Sequence, residues 1–302
     1  MKSCLSLFSA FLLALSSGFA QRETATPSWL ENLHLSASGT FGQTGNISRT
    51  SNEATRKDAE TYELSLNSTH SRQLSRNLLL IASAELSTLA VPDYELTNHN
   101  RLGGRLTLQR KFGLGPQATV LQLTASAGYK DARLAADRGW TTEAGLQLSK
   151  RVLPNLRLVA NASWLEHSAR RDTFDLGQES YSAEVHWDIS DRWSLSGSAG
   201  RLSGDIVANA SWPVWSTMLA GGFGPTILNY YTSRPWTTTH LYGEGWVSYN
   251  VEADVDLWSV SLGFSVSDRT SLELRRSAAY VVNRVGVTYP TDSWSVGLSH
   301  RF

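Results

Sequence analysis

The chain has very little cysteine, because its 302 residues contain only Cys4. This cysteine lies in a segment with the features of a secretory signal peptide: the basic Lys2, the apolar run 5–15, and small residues before Gln21. We therefore predict a signal peptide at residues 1–20 and a mature chain of residues 21–302. That mature chain would have no disulfide, no thiol nucleophile and no thiolate metal site.

Net charge and long apolar runs are also lacking. The chain has 27 Lys and Arg against 27 Asp and Glu, so it has no basic field for nucleic-acid binding. After the predicted signal peptide, no apolar run approaches the roughly 18 residues of a membrane helix. The glycines at 221, 222 and 224 lack the strand–helix context and the lysine of a phosphate-binding loop. We predict no cofactor and no metal.

What the chain does contain is strict alternation. Residues 294–302, ending in Phe302, place an apolar or aromatic residue at every second position, which is typical of a strand with one apolar face. Such segments are longer than the five or six residues of an ordinary strand and suit a tilted membrane span. We predict twelve of them, at 33–42, 60–71, 77–89, 97–112, 118–130, 138–151, 156–167, 178–189, 193–203, 257–266, 271–281 and 293–302.

The connections between these segments alternate between two lengths. Short ones fall at 72–76, 113–117, 152–155, 190–192 and 267–270, and longer ones at 43–59, 90–96, 131–137, 168–177, 204–256 and 282–292. Bacterial outer-membrane barrels have short periplasmic turns and longer outer loops. With twelve strands, both ends of the chain fall on the short-turn side, as that architecture requires.

The signal peptide, the alternation and the terminal Phe302 together resemble Gram-negative outer-membrane β-barrel proteins. The resemblance implies an all-β fold, a transmembrane antiparallel up-and-down β-barrel, for which the alternating segments give twelve strands. It also implies location in the cell outer membrane, contact with outer-membrane lipids, and insertion by the barrel-assembly machinery, with Phe302 as the insertion signal.

Aromatic residues cluster at the ends of the predicted strands, in phase with the apolar face. Two girdles of amphipathic rings at headgroup depth are typical of membrane barrels. A soluble β-sandwich would explain the alternation but not this clustering. The predicted outer girdle consists of Tyr62, Tyr129, Trp140, Trp164, Tyr181, Trp258, Tyr280 and Trp294, and the short-turn ends carry Phe112, Trp187, Trp193 and Phe302.

Two features fit this scheme less well. The phase of the eleventh strand turns Arg276 toward lipid near mid-depth, which costs about 2–4 kcal/mol; either a bulge at 275–277 or a misplaced strand would explain it. The connection 204–256 is also long for a structureless loop. Additional strands at 205–213 and 239–251 would give fourteen. Twelve is preferred, with 239–251 as an extension or hairpin above the membrane.

The face opposite the apolar one would line the lumen. The hairpin centred near Asp93 predicts that Glu85 lies directly across from Arg101. These side chains either fill the lumen as paired charges or form a constriction that selects solutes, and their mixed signs favour neither cations nor anions. The lumen candidates are Glu63, Glu85, Arg101, Arg105, Lys130, Glu143, Arg157, Glu184, His186, Glu273 and Arg275.

The aromatic residues of the 204–256 loop have three interpretations. The loop could plug the lumen, form a platform at the mouth for a small polar or carbohydrate ligand, or pack on itself or on the membrane interface. The binding candidates are Trp212, Trp215, Tyr230, Tyr231 and Trp236.

Catalytic residues are not evident. The neighbouring pairs at 70–71 and 299–300 combine serine with histidine, but adjacent strand residues point to opposite faces and cannot form a dyad. We therefore expect no enzyme. The leading hypothesis is a channel for small polar solutes or the membrane part of an envelope export system. The alternative is a structural or surface-binding barrel with a plugged lumen, and the third is a lipid or peptide hydrolase.

Overall fold

The computed structural model describes residues 33–302. The predicted signal peptide at 1–20 lies outside the described residues. Two short helices, α1 Trp212–Leu219 and α2 Pro225–Ser233, lie between β9 and β10. The strands are β1 Leu33–Gly45, β2 Ala59–Ser75, β3 Leu78–Ala90, β4 His99–Phe112, β5 Thr119–Ala132, β6 Gly139–Leu153, β7 Leu156–Ala169, β8 Leu176–Asp188, β9 Trp193–Ala210, β10 Trp236–Thr238, β11 Val247–Ser265, β12 Thr270–Asn283 and β13 Thr291–Arg301.

Twelve of these strands form a closed antiparallel barrel. The sheet runs from β11 through β12, β13 and β1 to β9, and β9 then pairs with β11 to close the ring. The three-residue β10 pairs only with β11. The twelve-stranded prediction is thus confirmed. The fourteen-stranded alternative is wrong, because 205–210 continues β9 and 247–256 continues β11 instead of forming separate spans.

The two faces of the barrel differ as the alternation predicts, because directly paired residues share a face. Large apolar side chains lie unpacked on the outer face, for example Leu102, Trp140 and Tyr181 at 63%, 61% and 62% exposure. A continuous apolar surface of this kind around a closed barrel is what a bilayer covers. All eight residues of the predicted outer girdle lie on this face. Neither helix within residues 33–302 is long and apolar enough to cross a membrane.

The strand at the carboxyl end joins the barrel seam. β13 pairs with β1 from Ser36–Arg301 to Gly45–Asp292. The Phe302 backbone N–H donates to the Leu35 carbonyl at 3.0 Å, so the pairing extends to the last residue. The role of Phe302 as an insertion signal stays a prediction.

Arg276 faces outward without any bulge. β11 and β12 pair continuously from Ala253–Asn283 to Ser265–Ser271, and Arg276 lies between Val260 and Trp294. The bulge hypothesis is therefore wrong. Register shifts occur instead in two other strand pairs, β2–β3 and β6–β7. They lie beside short turns, at residues 73–75 and 151–153. Arg276 is in register with Trp294, a residue of the predicted outer girdle. That prediction would place Arg276 close to the headgroup region, where a charge costs less than at mid-depth.

Candidate functional site: the lumen and the segment above it

The connection between β9 and β11 crosses the outer mouth of the barrel. In the ring of twelve strands, β3 and β4 lie opposite β9 and β11. Nevertheless, the ring of Tyr242 packs edge-on against Tyr94 of the β3–β4 loop, with 5.0 Å between centroids. A segment that starts on one side and contacts the other must span the opening. We call residues 205–251 the roof.

Contacts with two other loops fix the roof at the rim. Asn209 donates from Nδ2 to the Ser48 carbonyl at 2.8 Å, and the Tyr242 hydroxyl donates to the Ile47 carbonyl at 2.9 Å. Both carbonyls belong to the β1–β2 loop. On the β7–β8 side, Asn250 Nδ2 donates to the carbonyl of residue 175 at 2.7 Å. The roof is thus held at several points around the circumference.

The roof has its own aromatic core. Trp215 of α1 is 2% exposed and stacks on Tyr249 of β11 at 4.8 Å. Tyr231 of α2 contacts Tyr249 edge-on at 5.3 Å, and its hydroxyl lies 2.7 Å from that of Tyr289 in the β12–β13 loop. Burial of each such ring contributes about 1.5–3 kcal/mol, so the roof is a packed structure.

The hydroxyls of Tyr231 and Tyr289 inside this core are paired, whereas the buried indole N–H of Trp215 has no hydrogen-bond partner among the described residues. Asn283 donates from Nδ2 to the hydroxyls of Tyr231 and Tyr289, at 2.9 and 3.2 Å. Burial raises the pKa of both tyrosines, because the phenolate would be desolvated. At the end of α2, Arg234 pairs with Asp205 and Asn250, which ties the helix to β9 and β11.

Four of the five predicted loop-binding residues divide into two groups, and the fifth, Tyr230, is half-buried and donates from its hydroxyl to the Glu252 carbonyl at 3.2 Å. Trp215 and Tyr231 are buried and hold the roof together, so in this conformation they present no surface to an external ligand. Trp212 and Trp236 are 47% and 39% exposed on the roof. Phe223, which the sequence reasoning did not select, is also exposed. The alternating pattern could not separate these groups, since helix packing decides which rings turn inward.

All eleven predicted lumen residues lie on the inner face of the barrel, according to the strand register. Their function stays a prediction. The structure brings Arg105 Nη2 within 3.4 Å of Glu143 Oε2 and places His186 Nε2 2.9 Å from Glu184 Oε1.

The predicted pairing of Glu85 with Arg101 is wrong. Glu85 lies across from Gly103, and Arg101 lies across from Ser87. The hairpin is centred one residue later than predicted, at Tyr94, which shifts the register by two residues. A 3-10 turn at Glu95–Thr97 and the side chain of Asn98, which accepts from the Val91 N–H at 2.7 Å, set this loop shape.

Two walls of the lumen differ in chemistry. Six of the eleven predicted lumen residues lie on β2–β6, which we call the charged wall. The other five lie on β7, β8 and β12, but the inner face of β7–β13 also carries cross-strand hydroxyl pairs, and we call it the hydroxyl wall. The hydroxyl wall was missed, although serine at every second position of β9 is a sequence signal for it. The pairs are Ser163–Ser180 at 2.8 Å, Ser196–Ser261 at 2.7 Å, Ser198–Ser259 at 2.7 Å and Ser277–Ser293 at 2.8 Å.

Three cavities lie along the lumen of the barrel. Below the roof lies a chamber of about 410 Å³ whose inner-face lining includes Ser180, Ser198 and Arg275. A recess of about 120 Å³ lies beside Glu85, Arg105 and Glu143. Toward the short turns, a third cavity of about 330 Å³ includes Gln109, Gln122, Gln147, Arg157 and His186 in its lining.

A polar network at the outer rim was also missed. Lys130, a predicted lumen residue, donates from Nζ to Asp137 Oδ2 at 2.7 Å, and His167 Nε2 lies 3.5 Å from the other oxygen. Burial raises the pKa of Asp137, but the His167 and Lys130 interactions outweigh it and bring the pKa below 3.8. His167 is 4% exposed and shares a 2.9 Å hydrogen bond with Thr141.

Comparison with proteins of known structure identifies the fold. No family model and no curated protein matches the chain. Among solved structures, an outer membrane channel from Pseudomonas putida F1 is 11% identical, with a TM-score of 0.53, and the match covers 93% of this chain and 100% of that one. The NanC porin is 10% identical, with a TM-score of 0.46 and 88% and 98% covered. Outer membrane phospholipase A from Escherichia coli is 10% identical, with a TM-score of 0.45 and 88% and 92% covered. The chain therefore has the closed-barrel fold of outer-membrane β-barrel proteins.

Proposed function

We propose that the protein is an outer-membrane channel for small polar solutes, and that its roof limits what enters. The observation that carries the proposal is the lumen, which combines a hydroxyl wall, a charged wall and a series of cavities. A barrel that served only as a scaffold could fill this space with interlocking side chains. Serines instead leave room for water and solute.

The charges on both walls of the lumen suit weak selectivity. The inner face carries five predicted acidic residues, at 63, 85, 143, 184 and 273, against five basic ones, at 101, 105, 130, 157 and 275. Among the described residues of this set, only Arg105 and Glu143 form an ion pair between opposite side chains, at 3.4 Å. Hydrated solutes of either sign would find partners along this path. We therefore expect polarity and size to matter more than charge.

Uptake into liposomes tests the proposal. The full chain and a variant in which residues 211–246 are replaced by Asn-Gly are reconstituted, and swelling is followed with neutral sugars of increasing size. Ala210 pairs directly with Val247, so a two-residue turn can close the hairpin without altering the barrel. We expect slow uptake of the smallest sugars by the full chain, and faster uptake of larger ones by the variant. No uptake by either protein would overturn the proposal.

The second candidate is a surface-binding barrel with a permanently closed lumen. The exposed rings of Trp212, Phe223 and Trp236 on the packed roof favour it, since aromatic faces suit carbohydrate stacking. This candidate predicts saturable binding to immobilised oligosaccharide that the triple alanine variant loses, with no swelling by the full chain. Swelling by the full chain would contradict it.

A further inference from the structure

The charged wall of the lumen contains a recess whose floor carries no side chains. Gly103 of β4 and Gly128 of β5 are paired directly and share the inner face. Together with Ser126 and Thr141 they line a cavity of about 120 Å³. Because a glycine adds nothing beyond the backbone, a solute can lie closer to the wall here than beside a larger residue.

Charged side chains surround this floor. Arg101 and Arg105 lie two residues before and after Gly103 on β4, so the Cα of each is about 7 Å from that of the glycine. Glu85 of β3 lies directly across from Gly103, with a Cα separation of about 5 Å. Glu143 of β6 also lines the recess, and its carboxylate accepts from Arg105 at 3.4 Å. The recess thus presents two cationic and two anionic groups.

Glu85 and Arg101 have no counter-charge in the protein. Within residues 33–302, neither side chain forms an ion pair. Glu85 is diagonal in register to both Arg101 and Arg105, about 7–8 Å away, and pairs with neither. Both Glu85 and Arg101 are exposed on the inner face. A solute that carries both signs of charge can satisfy them together.

We propose that this recess binds a small zwitterion of the α-amino acid class. The carboxylate lies over the glycine floor between the guanidinium groups of Arg101 and Arg105, and the ammonium pairs with Glu85. An α-amino acid carries both charged groups on one carbon atom, so the small cavity favours it over a peptide. This assignment rests on the channel function proposed above and names the class of solute that the lumen holds on its path.

Saturation-transfer NMR of the folded protein in deuterated detergent tests the proposal with three probes. L-alanine carries both charges, propionate lacks the ammonium, and ethylamine lacks the carboxylate. The full chain and the variant in which Asn-Gly replaces residues 211–246 are compared, so that access through the roof is also tested. We expect both proteins to bind alanine saturably and about tenfold more tightly than either analogue, the usual effect of one charge-assisted hydrogen bond.

Single substitutions assign the two charges. Glu85→Gln should weaken the binding of alanine and ethylamine about tenfold and leave that of propionate unchanged, whereas Arg101→Gln should weaken alanine and propionate and leave ethylamine unchanged. The controls Glu60→Gln and Arg110→Gln neutralise one charge of each sign on the outer face, and should leave all three affinities unchanged. A heat-modifiability gel establishes that each variant is folded.

Two results would overturn the inference. One is the absence of any preference for alanine over its analogues in the roof-deleted variant, and the other is an unchanged alanine affinity in both Glu85→Gln and Arg101→Gln. Binding by the roof-deleted variant alone would support the site and make the roof its barrier.

Swelling with neutral sugars separates this inference from the channel proposal. If the roof-deleted variant swells but does not prefer alanine, only the amino-acid site fails. If alanine binds as expected and neither protein swells, the channel proposal fails instead.

Discussion

Tyr94 and Tyr242 are in edge contact, with 5.0 Å between ring centroids and 66° between ring planes, although their chain segments start from opposite sides of the barrel. Tyr242 also donates to the Ile47 carbonyl, and burial raises its pKa to about 12. One residue therefore fixes the far end of the roof to two rim loops. If the protein is the channel proposed above, its permeability should depend on whether this contact holds.

Replacement of Tyr242 should loosen the far end of the roof. Tyr242→Ala removes the ring contact and the hydrogen bond to Ile47, together worth about 1–3 kcal/mol. We expect faster protease cleavage within 234–246 while the barrel remains resistant. Phe223→Ala is the control, because Phe223 is an exposed roof ring. Equal cleavage of the two variants would mean that Tyr242 does not hold the roof.

Alkaline pH should open the roof. Burial raises the pKa of Tyr231, Tyr242 and Tyr289 above 10, so each retains its proton in the folded roof after the unfolded chain has lost it. The stability that these groups contribute is complete below about pH 10 and falls as pH rises through the folded pKa values. Protease cleavage of the roof should increase between about pH 10 and 12, together with tyrosinate absorbance. Unchanged cleavage across this range would contradict the packing of the roof core.

The Asp137 network should weaken in acid. Its pKa lies below 3.8 in the folded protein, so its contribution is complete above the unfolded value and disappears as pH falls through the folded one. Asp137→Asn removes the charge that Lys130 and His167 share, and should cost about 1–3 kcal/mol in thermal or denaturant unfolding at neutral pH.

The matched control for that variant is Asp131→Asn. Asp131 pairs with Arg138 at 3.1 Å but is 56% exposed, so its loss should cost only about 0–1 kcal/mol. If the two variants were equally stable, the buried network at the rim would contribute no more than an exposed ion pair.

Neutralisation of a lumen charge should change ion selectivity. Arg105→Gln removes a positive charge from the recess beside Glu143 and leaves that carboxylate without its ion-pair partner. The reversal potential in a salt gradient should therefore shift toward cations. Arg110→Gln is the control, since Arg110 is on the outward face and stacks over Phe112 at 5.1 Å. A shift of similar size in the control would exclude Arg105 from the ion path.

Most of the barrel was predictable because one physical constraint recurs along the chain. A strand that faces lipid on one side and a polar lumen on the other must alternate, which predicted the strands, their number and the inward phase of residues such as Glu63 and Arg275. The same phase predicted that Arg276 points outward, and the structure places it on the outer face. The bulge prediction is wrong because the depth of Arg276 is set by its register with Trp294 on the neighbouring strand, which the pattern of one strand does not specify.

Two parts of the site could not be predicted from alternation. The offset of Glu85 from Arg101 depends on the shape of one loop, where Asn98 accepts from the Val91 backbone and moves the turn by one residue. The roof depends on contacts between segments far apart in sequence, such as Asn209 with Ser48. Nothing in the local pattern of residues 205–251 specifies which loops they meet.

Single-channel conductance in planar bilayers tests the central claim most directly, with the full chain compared with the variant in which Asn-Gly replaces residues 211–246. The account predicts small or infrequent openings for the full chain and a larger, steadily open conductance for the variant. The absence of conductance from both proteins, each shown to be folded and inserted, would contradict it.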